Sequence, residues 1–346
     1  MICKLKLVAS VLGAVFCPAM VLACSFHLYL PEKTIVDRIL TSPHIVLARP
    51  SKTNPFRYVA VGAYRGSVHD VEIPDLVDTR SRRRLLAAPS HMVMFARDEA
   101  SGPWKRVAYL DDTFRFAIDN VFNQLDIWAI GGDRLRFSHA SRFLNHSHSA
   151  LADLAFAELD RAPYAVLRDL ELEIDAAPLL NDFFASDRYS TTPIRALLLG
   201  LSGAPEARKF LRAQFSSGVR PAGVTAGAMA VGLIEIDQSH GVDTVAGALG
   251  LREGVDFATQ EILIEAMAIQ AKAGDSELRA KINATIKDLL EQEPMLAASV
   301  ARQFSRRSIW THQDAVLAAA AHLQMLSSED RFDIANYVSS ARKREL

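Results

Sequence analysis

His139, His146 and His148 fall in one short stretch, with Asn145 between them and Asp153 close behind. Imidazole nitrogens ligate zinc, and three protein ligands that leave a fourth position open make a hydrolytic metal site. Histidines two apart, as His146 and His148 are, cannot share a helix face, but a strand or a loop can present both. The alternative is a polar linker that caps a helix starting near Ser147. No His-Glu-x-x-His motif occurs in the chain. A second cluster, Arg80, Arg82, Arg83 and Arg84, is the densest basic run. Planar guanidinium forks suit phosphate and carboxylate, which makes the run a candidate contact for an anion or an acidic partner. The plainer expectation for it is a solvated loop between two strands.

Motifs for nucleophilic catalysis are missing. Gly200-Leu201-Ser202-Gly203 lacks the Gly-x-Ser-x-Gly spacing of a nucleophile elbow. Ser340-Ala341-Arg342-Lys343 matches Ser-x-x-Lys only in the C-terminal tail. Gly247, Gly250 and Gly254 have neither the spacing nor the preceding strand of a dinucleotide loop. Glu235 and Asp237, two apart, leave a helix on different sides and make no acid/base pair. The small residues around Ala226, Gly227, Ala228 and Ala230 point to close helix packing. The chain is therefore expected not to be an enzyme and to need no cofactor.

These clusters must be held by a real core, and the chain has material for one: 346 residues, of which 50% are hydrophobic and 23% charged. That balance excludes wholesale disorder and collagen. A formal net charge of −1 argues against nucleic acid as partner.

The N-terminus carries an address. Lys4 and Lys6 precede an apolar run over 7–16, Pro18 breaks it, and Val21-Leu22-Ala23 supplies the compact residues that a signal peptidase reads. The run is too short and interrupted for a membrane span, which needs about 20 apolar residues. Residues 1–23 are thus expected to be a signal peptide. Its removal takes Cys3 and Cys17 and leaves Cys24 as the sole cysteine, with no internal disulfide partner. Val21-Leu22-Ala23-Cys24 looks like a bacterial lipoprotein signal, in which Cys24 becomes lipidated. Otherwise Cys24 is a free or mixed-disulfide thiol of a soluble protein. The expected location is periplasmic or secreted, with membrane contact only through a lipidated Cys24 or an uncleaved signal.

Beyond the signal the pattern changes near residue 145. Over 24–142, short apolar runs alternate with Pro, Gly, Asp and Ser, which predicts strands at 45–48, 56–61, 68–73, 92–95, 104–110 and 113–118. One helix is predicted at 34–40. Short strands at this spacing indicate a small barrel or sandwich. Gly131-Gly132-Asp133 reads as a turn. Over 145–346 the period becomes helical, with helices predicted at 147–160, 193–201, 205–214, 222–237 and 256–273. Helix starts at 256, 275, 294, 311 and 328 give two helices for every 34 to 38 residues, the range of helical-hairpin solenoids.

Two resemblances follow from these residues. Cys24, the segment Ser42-Pro43-His44-Ile45-Val46-Leu47-Ala48-Arg49, Tyr64-Arg65-Gly66 and the 92–95 strand resemble bacterial relatives of the netrin and metalloproteinase-inhibitor module, an OB-type barrel. That resemblance implies a disulfide from the N-terminal Cys and a Cys-x-Cys start that reaches the zinc of a target protease. This chain has Cys24-Ser25-Phe26 and no later cysteine. The second half is similar to HEAT-type repeats, with Leu151 to Leu159 followed by Arg161-Ala162-Pro163-Tyr164 as a first hairpin.

The expectation is an α+β protein of two domains, an OB-like β-barrel at 24–142 and an α-solenoid of helical hairpins at 145–346. Its expected role is an exported, non-catalytic interaction or scaffold protein of the bacterial envelope that binds a protein partner through the solenoid. The alternatives are a metal-dependent hydrolase using His139, His146 and His148, and an envelope protease inhibitor acting through Cys24.

Overall fold

In the computed structural model the described residues are 31–345, apart from 70, 100, 217–222, 250–255 and 324–325. The segment 1–23, expected to be a signal peptide, and Cys24 lie outside them. Helix α1 (Ile35–Thr41) opens the described chain. The Thr34 hydroxyl accepts from the Asp37 amide at 2.9 Å, and the Asp37 carboxylate accepts from the Thr34 amide at 3.1 Å. This reciprocal cap satisfies two amides that the first turn leaves free.

Strands β1 (His44–Pro50) and β2 (Tyr58–Arg65), helix α2 (Thr79–Ala87), and strands β3 (Met92–Arg97) and β4 (Lys105–Leu110) follow. The sheet is antiparallel in the order β2-β1-β3-β4, with Leu47 opposite Met94 at its centre. Side chains alternate between faces along a strand. Ile45, Leu47 and Met94 pack with Val36 and Ile39 of α1, while Val46, Ala48, Val93 and Phe95 pack with Leu85 of α2 and Trp104. Both faces are covered, which explains why β1 and β3 read as unbroken apolar runs.

The fold is mixed α+β, but the expected barrel is corrected: the sheet has four strands and is open, with the outer edges of β2 and β4 unpaired among the described residues. The described residues of 68–73, predicted as a strand, form none, and an isolated bridge joins Arg57 to Leu76 nearby. Residues 113–118 fall inside helix α3 (Asp112–Phe122) instead. Phe114, Ala117, Ile118 and Val121 are its buried positions, a helical spacing, while Phe116 is 69% exposed. The Asp111 carboxylate accepts from the Phe114 amide at 2.9 Å and starts the helix. Over six residues alternation and helical period overlap, and the cap decides.

The rest is helical: α4 (Leu125–Ala129), α5 (Asp133–Ser141), α6 (Ser149–Asp160), α7 (Tyr164–Asp169), α8 (Ala176–Asn181), α9 (Thr192–Leu201), α10 (Pro205–Ser216) and α11 (Gly223–Leu249). Next come α12 (Phe257–Ala273), α13 (Ser276–Gln292), α14 (Ala297–Arg306), α15 (Gln313–Ala321) and α16 (Ser328–Glu345). The Gly131-Gly132-Asp133 turn is present, but it joins α4 to α5. Gln238, with φ 50° and ψ −129°, splits α11 into two helical segments. Gly200 and Gly232 let α9 and α11 touch, because a Cβ on Gly200 would stand 2.3 Å from the Gly232 Cα. Helix α12 packs between α11 and α14, α14 packs between α12 and α16, and α13 and α15 pack together beside that row. One continuous core runs through these helices. Helix α6 serves both regions: Leu151 and Leu154 join the core under the sheet, and Ala155 and Leu159 join the helical core.

Candidate functional site

The three candidate histidines follow an aromatic path rather than converging on a point. His139, on α5, lies 5.6 Å from the Trp128 ring and 5.5 Å from Phe143. Burial lowers its pKa, with Arg142 adding repulsion. The His146 ring is 6.2 Å from Phe143 and 6.4 Å from His148. His148 gives its Nε2 to the Asp111 carboxylate at 2.8 Å. Among the described residues no group of three or more His, Cys, Asp or Glu side chains could hold a metal ion.

The arginine run is not a loop. Asp78 caps α2 by accepting from the Ser81 amide at 2.8 Å, and the run occupies that helix. Successive residues on a helix point in different directions, so the cluster divides. Arg82 stacks over Phe56 at 4.6 Å, and Arg84 stacks over Tyr109 at 3.8 Å. Arg84 and His148 thereby come to line one cleft of about 410 Å³, together with Tyr109, Asp111 and Asp153 above a floor that includes Phe114. Burial raises the Asp111 pKa, but the Phe114 amide and His148 outweigh it, so the carboxyl stays below its usual range. His148 Nδ1 has no hydrogen-bond partner among the described residues, so no hydroxyl nucleophile is held against it. The pair ties the start of α3 to the start of α6.

A more ordered arrangement lies at the other end of the chain. Arg302, on α14, donates to Glu261 of α12 at 2.9 Å and also pairs with Asp333 of α16. One turn further along, Arg307 donates to Glu265 of α12 at 2.8 Å. Tyr337 of α16 meets the backbone of His312, beyond the end of α14, at 3.2 Å. The register advances the same way on each helix, so α12, α14 and α16 are parallel and their N-termini share one edge. Near these N-termini lie Phe257 (58% exposed), the first residue of α12, Met295 (70%), two residues before α14, and Phe332 (69%), one turn into α16. Neighbouring helix axes stand about 8–10 Å apart, so the three helix starts span about 20 Å. Asp256 caps α12 by accepting from the Thr259 amide at 2.8 Å, and Ser327 caps α16 by accepting from the Asp330 amide at 3.0 Å.

Sequence reasoning found neither the Arg302 network nor this edge. The available signal was Glu261 and Glu265, one helical turn apart among the apolar residues of α12. No helix among the described residues is long and apolar enough to cross a membrane. Comparison of the chain with protein families, curated proteins and solved structures finds no match.

Proposed function

We propose that the chain is an exported, non-catalytic interaction protein of the bacterial envelope that holds a protein partner along its stack of helical hairpins. The observation that carries this reading is the row of Phe257, Met295 and Phe332 on an edge fixed by Arg302. Burying an apolar side chain of this size contributes about 1.5–3 kcal/mol, so three of them exposed at one end of the helix stack favour a docking surface there. A rigid row loses little conformational entropy when it binds, which favours a preformed docking edge. The signal-like residues 1–23 supply the envelope address, and Cys24 supplies a lipid anchor if it is acylated. The HEAT-like reading of the hairpins belongs to the same proposal, because solenoids bind through extended surfaces.

The test is purification of the full chain from its own envelope, beside a variant carrying Phe257→Ser, Met295→Ser and Phe332→Ser. All three positions are exposed, so the variant should unfold at the wild-type temperature. A protein that copurifies with the wild type should fall at least about tenfold with the variant, as expected when clustered apolar anchors are removed. Equal retention by both overturns the assignment to this edge.

A further inference from the structure

The opposite ends of the same helices form a cleft of about 520 Å³ with a different chemistry. Lys272 comes from the last turn of α12, Arg279 from α13, Trp310 from the turn after α14, and Arg344 from the last turn of α16. No carboxylate of the described residues lines it. The larger groove between α13 and α15, about 620 Å³, differs in carrying Glu291 and Asp314 beside Lys287.

Basic residues near helix C-termini ordinarily answer the partial negative charge there. In this cleft that need is largely met by Arg279, whose Nε donates to the Ala271 carbonyl at 2.9 Å and whose Nη2 donates to the Gly274 carbonyl at 3.2 Å. Lys272 and Arg344 are exposed and have no carboxylate partner among the described residues. The Arg344 guanidinium lies over the Trp310 ring, 5.3 Å from its centre. Three cations around one cleft call for a compact, multiply charged group rich in acceptor oxygens.

We infer that this cleft binds a phosphate group, carried by a free ion, a small phosphomonoester or a lipid headgroup. Phosphate fits better than carboxylate, because its three terminal oxygens and charge approaching −2 match three cations from three helices. The site is independent of the docking edge and stands or falls separately from it.

The experiment titrates the full chain with inorganic phosphate at constant ionic strength, following heat and tryptophan emission, with acetate as the comparison. Saturable phosphate binding that a Lys272→Ala/Arg344→Ala double variant weakens at least about tenfold supports the site. Loss of the emission change in Trp310→Phe places the ligand in this cleft. Absence of saturation with every phosphate probe, equal binding by the double variant, or acetate binding as tightly as phosphate overturns it. Glycerol phosphate and neutral vesicles with or without phosphatidic acid separate the sources. Binding of soluble phosphates assigns a free ligand, and binding confined to phosphatidic acid vesicles assigns a headgroup.

Discussion

Two arginines tie the elements of this molecule together, Arg136 buried and Arg302 largely so, and the pKa values of their glutamate partners shift in opposite directions. Under the sheet, Arg136 donates to Glu158 at 2.6 Å and to Asp37 at 2.8 Å, joining α5, α6 and α1. In the helical region, Arg302 joins α12, α14 and α16 through Glu261 and Asp333. Burial raises the Glu158 pKa and Arg136 does not offset it. Burial opposes ionisation of Glu261 as well, yet Arg302 and Gln303 hold its carboxyl below the usual range. The difference lies in the carboxylate oxygens. Glu158 is 1% exposed and its Oε1 has no hydrogen-bond partner among the described residues, whereas both oxygens of Glu261 accept from Arg302 and Oε1 also accepts from Gln303. A buried charge is stabilised when all its lone pairs are used, not merely when an opposite charge is near.

The largest expected effect comes from removing each arginine at nearly constant volume. Arg136→Met takes away the guanidinium that donates to Glu158, while Asp37 keeps Arg161 at 3.2 Å. Breaking a buried pair in this way costs about 3–5 kcal/mol. Arg302→Met leaves Gln303 on Glu261, and Asp333 has a partly exposed side chain, so the loss should be about 1–3 kcal/mol. Denaturant unfolding of both variants ranks them. A costlier Arg302→Met would break the comparison.

The next effect is on pH dependence, and the two glutamates should give opposite signs. Glu158 has a folded pKa above its ordinary 4.5, so the folded state takes up a proton first. Its contribution should make the protein more stable as pH falls from neutral through the raised value toward 4.5. Glu261 has a folded pKa below 4.5, so its contribution is present above 4.5 and is lost as pH falls through the folded value. Unfolding free energies of wild type, Glu158→Gln and Glu261→Gln across this range isolate each slope. If subtracting either variant gives the same sign, the difference between the sites is not one of desolvation against hydrogen bonding.

The contrast between regions also explains what could be read in the sequence. The helices after residue 145 carry a local 3.6-residue period, α12, α13 and α16 add Asp or Ser caps, and the observed α6, α9, α10, α12 and α16 begin within two residues of expectation. Even the predicted end at 237 survives as the break at Gln238. The sheet region depends on which segments pair across the chain, and short runs such as 113–118 fit two periods. Candidate side chains were legible as types but not as neighbours. Arg84 and His148 stand far apart in sequence, and only the docking of α2 and α6 against β4 and α3 brings both to one cleft. Arg302 showed no pattern of its own because its partners sit on two other helices.

The smallest effect asks whether an arginine needs burial to count. Arg84 and Arg83 are adjacent on α2 and both exposed, but only Arg84 has a ring beneath it. Replacing Arg84 by Ala also alters the charge near the helix end, and replacing Tyr109 also frees His91, which the hydroxyl meets at 2.9 Å. A double-mutant cycle of Arg84→Ala and Tyr109→Ala cancels both side effects and leaves the coupling between the two side chains. Exposed cation–π pairs are worth about 0.5–1 kcal/mol, well below either buried network. A coupling in that range, beside no coupling between Arg83 and Tyr109, would mean that the fold selects one guanidinium of the run by direction alone. A coupling of zero would make Arg84 as free as Arg83, and the cleft would then owe its shape to the Asp111–His148 tie.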